Sequence, residues 1–367
     1  MKNVIETPIH GGNIREIARM FNKDEASLLD FSANINPLGM SEKAKNAIIE
    51  SITASENYPD NNAASLIEQL STYHSMDKRQ LLAGAGAIEF IYLIPRLFPP
   101  GKALIVGPAF SDYERALRIS GWEVDYLLLN SEENFKFDLE QLKLKFDEGY
   151  GQLWIANPAN PTGIAVNLEA MSEIIKIAQN RGVTVVVDEA FIDFCEEESF
   201  KKQVTKFENL IVIRSLTKFF ALAGLRIGYV IANSKIIQKI ALIKEPWRLN
   251  SIAEAAAVES LKDKEYIQKT LENSKENRKE FLDQLNHLDF LKTYQGAANF
   301  LLVHFQQGIS VHQLREDLIG NENIVIRSCS NFKGLDHQFA RFAVKSRSEN
   351  NHLIEALARN VPNLRDG

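Results

Sequence analysis

Short runs of consecutive apolar residues alternate with amphipathic helical stretches along the first two thirds of the sequence. The apolar runs lie at 103–106, 153–156, 183–187 and 210–213, and helical patterns follow the first two runs at 113–119 and 168–180. Strands that are apolar along their whole length fit a sheet that is covered on both faces, and intervening helices are typical of βαβ units. The pattern predicts an α/β fold around a mostly parallel sheet, to which 225–231 adds a further strand.

The character of the sequence changes near Pro246 and Trp247. Residues 251–285 are charged and helical, and isolated strand-like runs follow at 300–304, 324–327 and 339–344. This order is typical of a second, smaller α+β domain. We therefore predict an N-terminal arm at 1–40, a large domain at 41–248 and a small C-terminal domain at 249–367, with a turn at 34–39 that closes the arm.

Composition and charge argue against several classes of protein. Hydrophobic residues make up 45% and charged residues 25% of the chain, which is the balance of an ordinary globular protein. The net charge of -6 and the pI of about 5.8 argue against a nucleic-acid partner. The only cysteines are Cys195 and Cys329, so we expect neither a disulfide scaffold nor a metal site. No signal peptide or long apolar run occurs, and we expect a cytoplasmic protein without a membrane span.

The strongest chemical signal is a stretch at 215–229 with the sequence SLTKFFALAGLRIGY. Its lysine, Lys218, follows a buried strand, where an amine is held rigidly and loses its proton beside other cations, as imine formation requires. Ser215, Thr217 and Arg226 would supply hydroxyl groups and a guanidinium to a phosphate. A solvated surface lysine would explain Lys218 alone but not the whole stretch.

Three other segments place polar groups beside predicted strands. Asp188 ends an apolar strand, and a buried carboxylate there needs a cationic partner such as the pyridinium nitrogen of pyridoxal phosphate (PLP). The alternatives for Asp188 are a helix N-cap and an internal ion pair. Asn160 lies in NPANPTG after the 153–156 strand and could donate to the phenolic oxygen of this cofactor, or belong to a simple turn. Gly84 and Gly86 open an apolar helix, where a phosphate could bind, although many such segments are only loops.

Together and in this order, these segments resemble the fold-type I PLP enzymes of the class I/II aminotransferase family. The resemblance implies that Lys218 and Asp188 are catalytic, with Lys218 carrying PLP as a Schiff base and Asp188 contacting the pyridine nitrogen. It implies Asn160 on the phenolic oxygen, Phe110 stacked on the ring, and Tyr58 reaching the phosphate of a neighbouring subunit, and hence a homodimer. The residues implied around the cofactor phosphate are Gly86, Ala87, Ile88, Ser215, Thr217 and Arg226.

Two branches of this family are similar to the chain, the threonine-phosphate decarboxylases of cobalamin synthesis and the histidinol-phosphate aminotransferases. The arm sequences HGGNIRE and DFSANINPLG, and Phe191 in place of a usual tyrosine, resemble the decarboxylases. This resemblance implies decarboxylation of O-phospho-L-threonine, a small phosphorylated amino acid. The implied substrate-binding residues are Arg341 for the α-carboxylate, His10, Asn34 and Arg327 for the phosphate, and Asn160, so that the arm contributes to the substrate site.

Two other interpretations stay open. Transamination of histidinol phosphate needs the same lysine, aspartate and arginine, because only the orientation of the substrate decides which bond at Cα breaks. A non-catalytic ligand-binding module with the same fold is a third interpretation. The chain departs from the family pattern at Ala85, Ala87 and Ala159, where polar residues are common. Because backbone N–H groups still bind a phosphate, we expect altered affinity rather than loss of PLP.

Overall fold

The computed structural model describes residues 10–306 and 308–365. Its helices are α1 (Ile14–Met20), α2 (Glu42–Ser51), α3 (Ala64–His74), α4 (Ala87–Leu93), α5 (Ser111–Ile119), α6 (Leu139–Phe146), α7 (Leu168–Asn180), α8 (Ser234–Ile243), α9 (Ser251–Lys262), α10 (Lys264–Asn286), α11 (Val311–Glu322) and α12 (Arg347–Arg365). Its strands are β1 (Leu29–Asp30), β2 (Leu81–Gly84), β3 (Lys102–Gly107), β4 (Glu123–Leu128), β5 (Tyr150–Ala156), β6 (Thr184–Glu189), β7 (Leu210–Ser215), β8 (Gly228–Ala232), β9 (Leu291–Tyr294), β10 (Phe300–Phe305), β11 (Ile324–Val325), β12 (Arg327–Ser328) and β13 (Phe339–Ala343).

Seven strands form the large sheet in the order β2–β8–β7–β6–β5–β3–β4. All neighbours from β7 to β4 are parallel. Every residue of β6 and β7 is buried, which explains their continuous apolar sequences, because side chains on both faces pack under helices. Helix α7 begins after Asn167, whose side chain accepts a hydrogen bond from the N–H of Ala170, and it buries four apolar residues at helical spacing. The α/β fold with a mostly parallel sheet is therefore confirmed.

The strand predicted at 225–231 begins later, at Gly228, and β8 runs antiparallel to both β7 and β2. The difference has a local cause. Residues Ala223–Leu225 form a 3-10 turn, and Arg226 follows with a φ of 57°, so the chain reverses before the strand starts. Without a crossover helix between them, two adjacent strands pair in antiparallel fashion.

The second sheet has the order β12–β13–β10–β9 and is antiparallel throughout. The strand predicted at 324–327 is in fact two short strands with different partners. β11 pairs with β1 of the arm, with Leu29 opposite Ile324, whereas β12 pairs with β13. The arm is thereby attached to the smaller part of the molecule through a two-stranded parallel sheet.

The predicted helical segment 251–285 is interrupted at Asp263, whose side chain accepts a hydrogen bond from the N–H of Tyr266 and caps α10. Helix α9 packs against α2 and α3, and its buried alanines belong to the core of the large sheet. Phe281 and Leu285 of α10 instead belong to the core of the small sheet. The division at 40 and 248 stays a prediction.

The arm contacts both sheets, at the segment that follows β7 and at the carboxyl end of β13. Its Asn36 N–H donates to the carbonyl of Lys218 at 3.1 Å, and the N–H of Ala343 donates to the carbonyl of Phe31 at 2.9 Å. These bonds hold residues 30–36 across the region where β6, β7 and β13 approach one another. Among the described helices, none has the length and apolar character needed to span a membrane.

Candidate active site

A cavity of about 560 Å³ lies at the carboxyl ends of β5, β6 and β7, where open α/β sheets bind ligands. Side chains from the arm, the large sheet and the small sheet line it together. The residues predicted for the site that line it are His10, Asn34, Ala87, Ile88, Phe110, Asn160, Asp188, Ser215, Thr217, Lys218, Arg226, Arg327 and Arg341. Residues that are up to 331 positions apart in the sequence, from His10 to Arg341, therefore meet in one cavity.

Lys218 lies three residues beyond the end of β7, partly buried, with its ammonium group 6.0 Å from the centroid of the Phe191 ring. Burial and the positive charges of Arg341 and Arg226 lower its pKa to about 8, although the negative charge of Asp188 acts in the opposite direction. A lysine with this pKa has a far larger neutral fraction near physiological pH than an ordinary lysine, and the neutral amine is the nucleophile that forms an imine.

Asp188 is buried in the floor of the cavity. Its Oδ2 accepts a hydrogen bond from the hydroxyl of Tyr113 at 2.5 Å, and its Oδ1 accepts one from the N–H of Ala190 at 2.9 Å. Burial raises its pKa, although both hydrogen bonds and the charge of Lys218 oppose the rise. Within residues 10–306 and 308–365 it forms no ion pair. A protonated pyridine nitrogen would supply the cation that this buried carboxylate lacks.

The phosphate end of the site has both hydroxyl groups and a cation. The hydroxyls of Ser215 and Thr217 are 2.7 Å apart and both side chains are buried. Gly86 has a φ of 89°, and a Cβ there would lie 3.1 Å from Nη2 of Arg226, so glycine allows the guanidinium to approach the loop. Likewise, a Cβ on Gly228 would lie 2.5 Å from the backbone nitrogen of Ala87. Hydroxyls, a guanidinium and the N–H groups that open α4 together fit the phosphate of PLP.

Two buried arginines, Arg327 and Arg341, lie directly opposite each other on β12 and β13. Arg341 donates from Nη1 to Oδ1 of Asn160 at 2.5 Å and from Nη2 to the carbonyl of Ser32 at 2.7 Å. Burial and the charge of Arg327 lower its pKa to about 10, although Cys329 and Asp30 act in the opposite direction. Because like charges directly opposite on paired strands destabilise a sheet, this pair of arginines is suited to a ligand with negative charge.

The arm contributes Asn34 and His10 to the cavity. With the amide of Asn34 oriented so that its oxygen faces the guanidinium, this oxygen lies 3.3 Å from both Nε and Nη1 of Arg341. Nε2 of His10 lies 2.9 Å from Oδ2 of Asp112, and its ring centroid lies 5.2 Å from that of Phe110. Asn34 is therefore part of the arginine end of the cavity, whereas His10 lies on the side of α5.

Sequence reasoning missed two residues of α5 that reach the site, Asp112 and Tyr113. Both follow Phe110 closely, and the only available signal was that this helix begins at the carboxyl end of a predicted strand.

Tyr58 does not line the cavity of its own chain. It is 81% exposed, and its ring lies 4.7 Å from that of Trp247.

Comparisons with known proteins find related sequences along nearly the whole chain. Residues 26–357 match the model of the family "Aminotransferase class I and II". The chain is 39% identical, over 95% of its length and 92% of the other, to a protein named "Putative threonine-phosphate decarboxylase" from Caldanaerobacter subterraneus subsp. tengcongensis. It is 35% identical, over 96% of both chains, to the threonine-phosphate decarboxylase of Salmonella typhimurium.

A solved structure is similar over the same length. The crystal structure of the histidinol-phosphate aminotransferase from Clostridium acetobutylicum superimposes with a TM-score of 0.86 at 38% identity, covering 92% of this chain and 100% of that one. The chain therefore belongs to the class I and II aminotransferase family of PLP-dependent enzymes, and has their fold-type I architecture. Its cofactor is pyridoxal 5′-phosphate, which the residues around Lys218, Asp188 and Arg226 fit.

Proposed function

We propose that this enzyme decarboxylates O-phospho-L-threonine to (R)-1-amino-2-propanol O-2-phosphate, a reaction of cobalamin synthesis. The observation that carries the proposal is the pair of buried arginines, Arg327 and Arg341, on adjacent strands of one cavity wall. The proposed substrate has two anionic groups on a short carbon skeleton, an α-carboxylate and a phosphate ester. One arginine for each anion matches this charge distribution. The identities to proteins named as threonine-phosphate decarboxylases support the same substrate.

A second candidate is the transamination of histidinol phosphate. It is favoured by the 38% identity to the solved structure that bears this name. Histidinol phosphate has a single anionic group and an imidazole ring, so it would use only one of the two arginines for charge neutralisation. We therefore rank it second.

In the proposed reaction the substrate is held at both ends. Arg341 binds the α-carboxylate through its guanidinium, which Asn160 and Ser32 hold in place. Arg327 lies on the neighbouring strand and takes the phosphate. Fixing two anions at separate positions restricts rotation about the bond between Cα and the amino nitrogen, and this orientation decides which bond at Cα breaks.

Bound PLP supplies an electron sink for the pair of electrons that remains on Cα when CO2 leaves. Asp188 keeps a proton on the pyridine nitrogen, since its buried carboxylate needs a cationic partner. Lys218, once its amine is released, lies beside the cavity with a lowered pKa and delivers a proton to Cα. Phe191 presents an apolar ring near this amine and offers it no hydroxyl group.

The proposed assembly is a homodimer in which Tyr58 completes the phosphate site of the partner. Tyr58 and Trp247 form an aromatic pair on the surface and are 81% and 51% exposed. The backbone N–H of Trp247 donates a hydrogen bond to Oδ1 of Asn61 at 3.0 Å. Aromatic side chains exposed in this way are enriched in interfaces between subunits.

The first experiment is an absorbance spectrum of the purified enzyme, followed by addition of O-phospho-L-threonine with measurement of CO2. We expect an imine band that the Lys218→Ala variant lacks, and CO2 release that does not require 2-oxoglutarate. A band without CO2, but with transfer of the amino group from histidinol phosphate to 2-oxoglutarate, would establish the second candidate instead. Absence of both activities would refute both.

Subunit complementation tests the dimer. Lys218→Ala and Tyr58→Phe are prepared separately, mixed under conditions that exchange subunits, and assayed for activity at limiting PLP. A mixed dimer has one site with both native residues, so activity above the mean of the two parents is expected. No gain on mixing, or a monomeric mass in sedimentation, would refute the proposed role of Tyr58.

A further inference from the structure

Asp112 is a buried carboxylate on the wall of the cavity that faces His10. It lies in the first turn of α5, and its side chain is only 5% exposed. The hydroxyl of Tyr92 donates to its Oδ1 at 2.6 Å, Nε2 of His10 lies 2.9 Å from its Oδ2, and Nη1 of Arg115 lies 4.0 Å from Oδ1. One oxygen of Asp112 is therefore hydrogen-bonded within the body of the protein, and the other faces the imidazole of the arm at ion-pair distance.

The surroundings keep Asp112 ionised. Burial acts to raise its pKa, but the hydrogen bonds of His10 and Tyr92, with the charges of His10 and Arg115, lower the pKa below its ordinary value. A carboxylate at one nitrogen of an imidazole fixes the orientation of the ring. Since Nε2 faces Asp112, Nδ1 is the nitrogen that remains for a ligand.

Among the described residues, the side-chain contacts of His10 come from the start of α5 and the residue before it. The side chain of His10 is 42% exposed, and besides Asp112 it contacts the ring of Phe110 at 5.2 Å between centroids. Phe110 immediately precedes α5 and Asp112 lies in its first turn, so the imidazole is held from one side by two residues at the start of this helix. This arrangement resembles the carboxylate–histidine pairs in which the carboxylate orients a ring that binds a ligand.

We propose that Asp112 is a positioning residue for binding the phosphate ester of the substrate, because it orients the imidazole of His10 as a hydrogen-bond donor to this group. The inference rests on the proposed function, because it assigns how the phosphorylated end of the substrate is recognised. Asp112 does not touch the substrate itself. It acts through His10, so its loss weakens binding of a phosphorylated substrate and leaves the chemistry at Cα intact.

The test compares Asp112→Asn, His10→Ala and the double variant in the PLP-loaded enzyme with O-phospho-L-threonine. We expect Asp112→Asn to raise KM about tenfold to a hundredfold, the range of a lost charge-assisted hydrogen bond, with kcat changed less than about threefold. Because both substitutions remove the same interaction, the double variant is expected to match His10→Ala. The affinity for unphosphorylated L-threonine, measured by spectral titration, should not change.

Glu114→Gln is the matched control. Glu114 is a carboxylate on the same helix that accepts hydrogen bonds from Arg118 and Tyr126, and it does not line the cavity. If Asp112→Asn acted only by weakening α5, Glu114→Gln would raise KM equally. If Asp112→Asn does not load PLP, Asp112→Glu with and without His10→Ala gives the same comparison, and its KM is expected to change only when His10 is present.

Two results would overturn the inference: additive effects of the two substitutions on KM, or a loss of kcat with KM unchanged. L-Histidinol phosphate serves as the second substrate, because it is also a phosphate monoester. If the wild-type enzyme uses only histidinol phosphate, the proposed decarboxylation fails, while the coupling of Asp112 to His10 is still measured on that substrate. The failure of one proposal is thereby distinguished from the failure of the other.

Discussion

The lowered pKa of Lys218 predicts a measurable reactivity in the protein from which PLP has been removed. With a pKa of about 8 in place of the ordinary 10.5, about half of the Lys218 side chains are neutral at pH 8, against roughly 0.3% for an ordinary lysine. Only the neutral amine reacts with acylating reagents. At this pH the reactive fraction of Lys218 is therefore expected to be more than a hundred times that of an ordinary lysine.

The assay is brief treatment of the PLP-free protein with acetic anhydride at a series of pH values, followed by peptide mass spectrometry. Exposed lysines of the same molecule serve as internal references. The fraction of Lys218 that is acetylated should rise with pH around a midpoint near 8, because the proton is lost in this range. A midpoint above pH 10 would refute the reasoning.

A pair of variants separates burial from charge. Arg341 is the largest electrostatic cause of the lowered pKa after burial, so Arg341→Met should move the midpoint of Lys218 acetylation to higher pH. Arg341→Lys keeps the positive charge and should leave the midpoint closer to that of the wild type. If both variants gave the wild-type midpoint, burial alone would lower the pKa and the stated role of the neighbouring charge would be wrong.

Tyr113→Phe removes one hydrogen bond from the buried carboxylate of Asp188 and should weaken PLP binding about tenfold in an equilibrium titration. An unchanged dissociation constant for PLP would contradict the role of the hydroxyl. Gly228→Ala places a Cβ 2.5 Å from a backbone nitrogen of the phosphate loop and should lower PLP affinity, whereas Gly320→Ala, where a Cβ meets nothing within 4 Å, should not. Arg214→Met leaves buried carboxylates without their cation and should lower the free energy of unfolding by about 3–5 kcal/mol in urea titrations. A loss below about 1 kcal/mol would show that these carboxylates are protonated in the folded protein.

The fold was predictable because its main determinants are local in sequence. Uninterrupted apolar runs report strands that are buried on both faces, and they placed β3, β5, β6 and β7 to within a few residues. The relative direction of neighbouring strands is not encoded in the apolar runs, because it depends on whether the connection between them crosses over the sheet. The sequence between Ser215 and Gly228 has no helical pattern long enough for such a crossover, so this signal could have predicted an antiparallel β8.

The candidate site was predictable where motifs carry chemistry and not where tertiary packing alone creates a contact. Lys218 and Asp188 follow apolar strands, so their position at the edge of the sheet could be inferred. Asp112 and Tyr113 lie on an ordinary amphipathic helix, and nothing local shows that one faces His10 while the other reaches Asp188 across the sheet. Such contacts depend on the packing of α5 against neighbouring strands.

The alternation of side chains along β6 and β7 links the cavity to an ion network on the opposite face of the sheet. Asp188 faces the cavity, and the next residue, Glu189, faces the other side, where it pairs with the fully buried Arg214 at 3.1 Å. Arg214 is directly opposite Glu189 in the sheet register and precedes Ser215, which faces the cavity again. Burial raises the pKa of Glu189 to about 7, although Arg214 opposes this rise, so the network depends on keeping its cation. The ends of β6 and β7, which carry the PLP-binding groups, are therefore held in register by charged side chains on the opposite face of the sheet, which do not line the cavity.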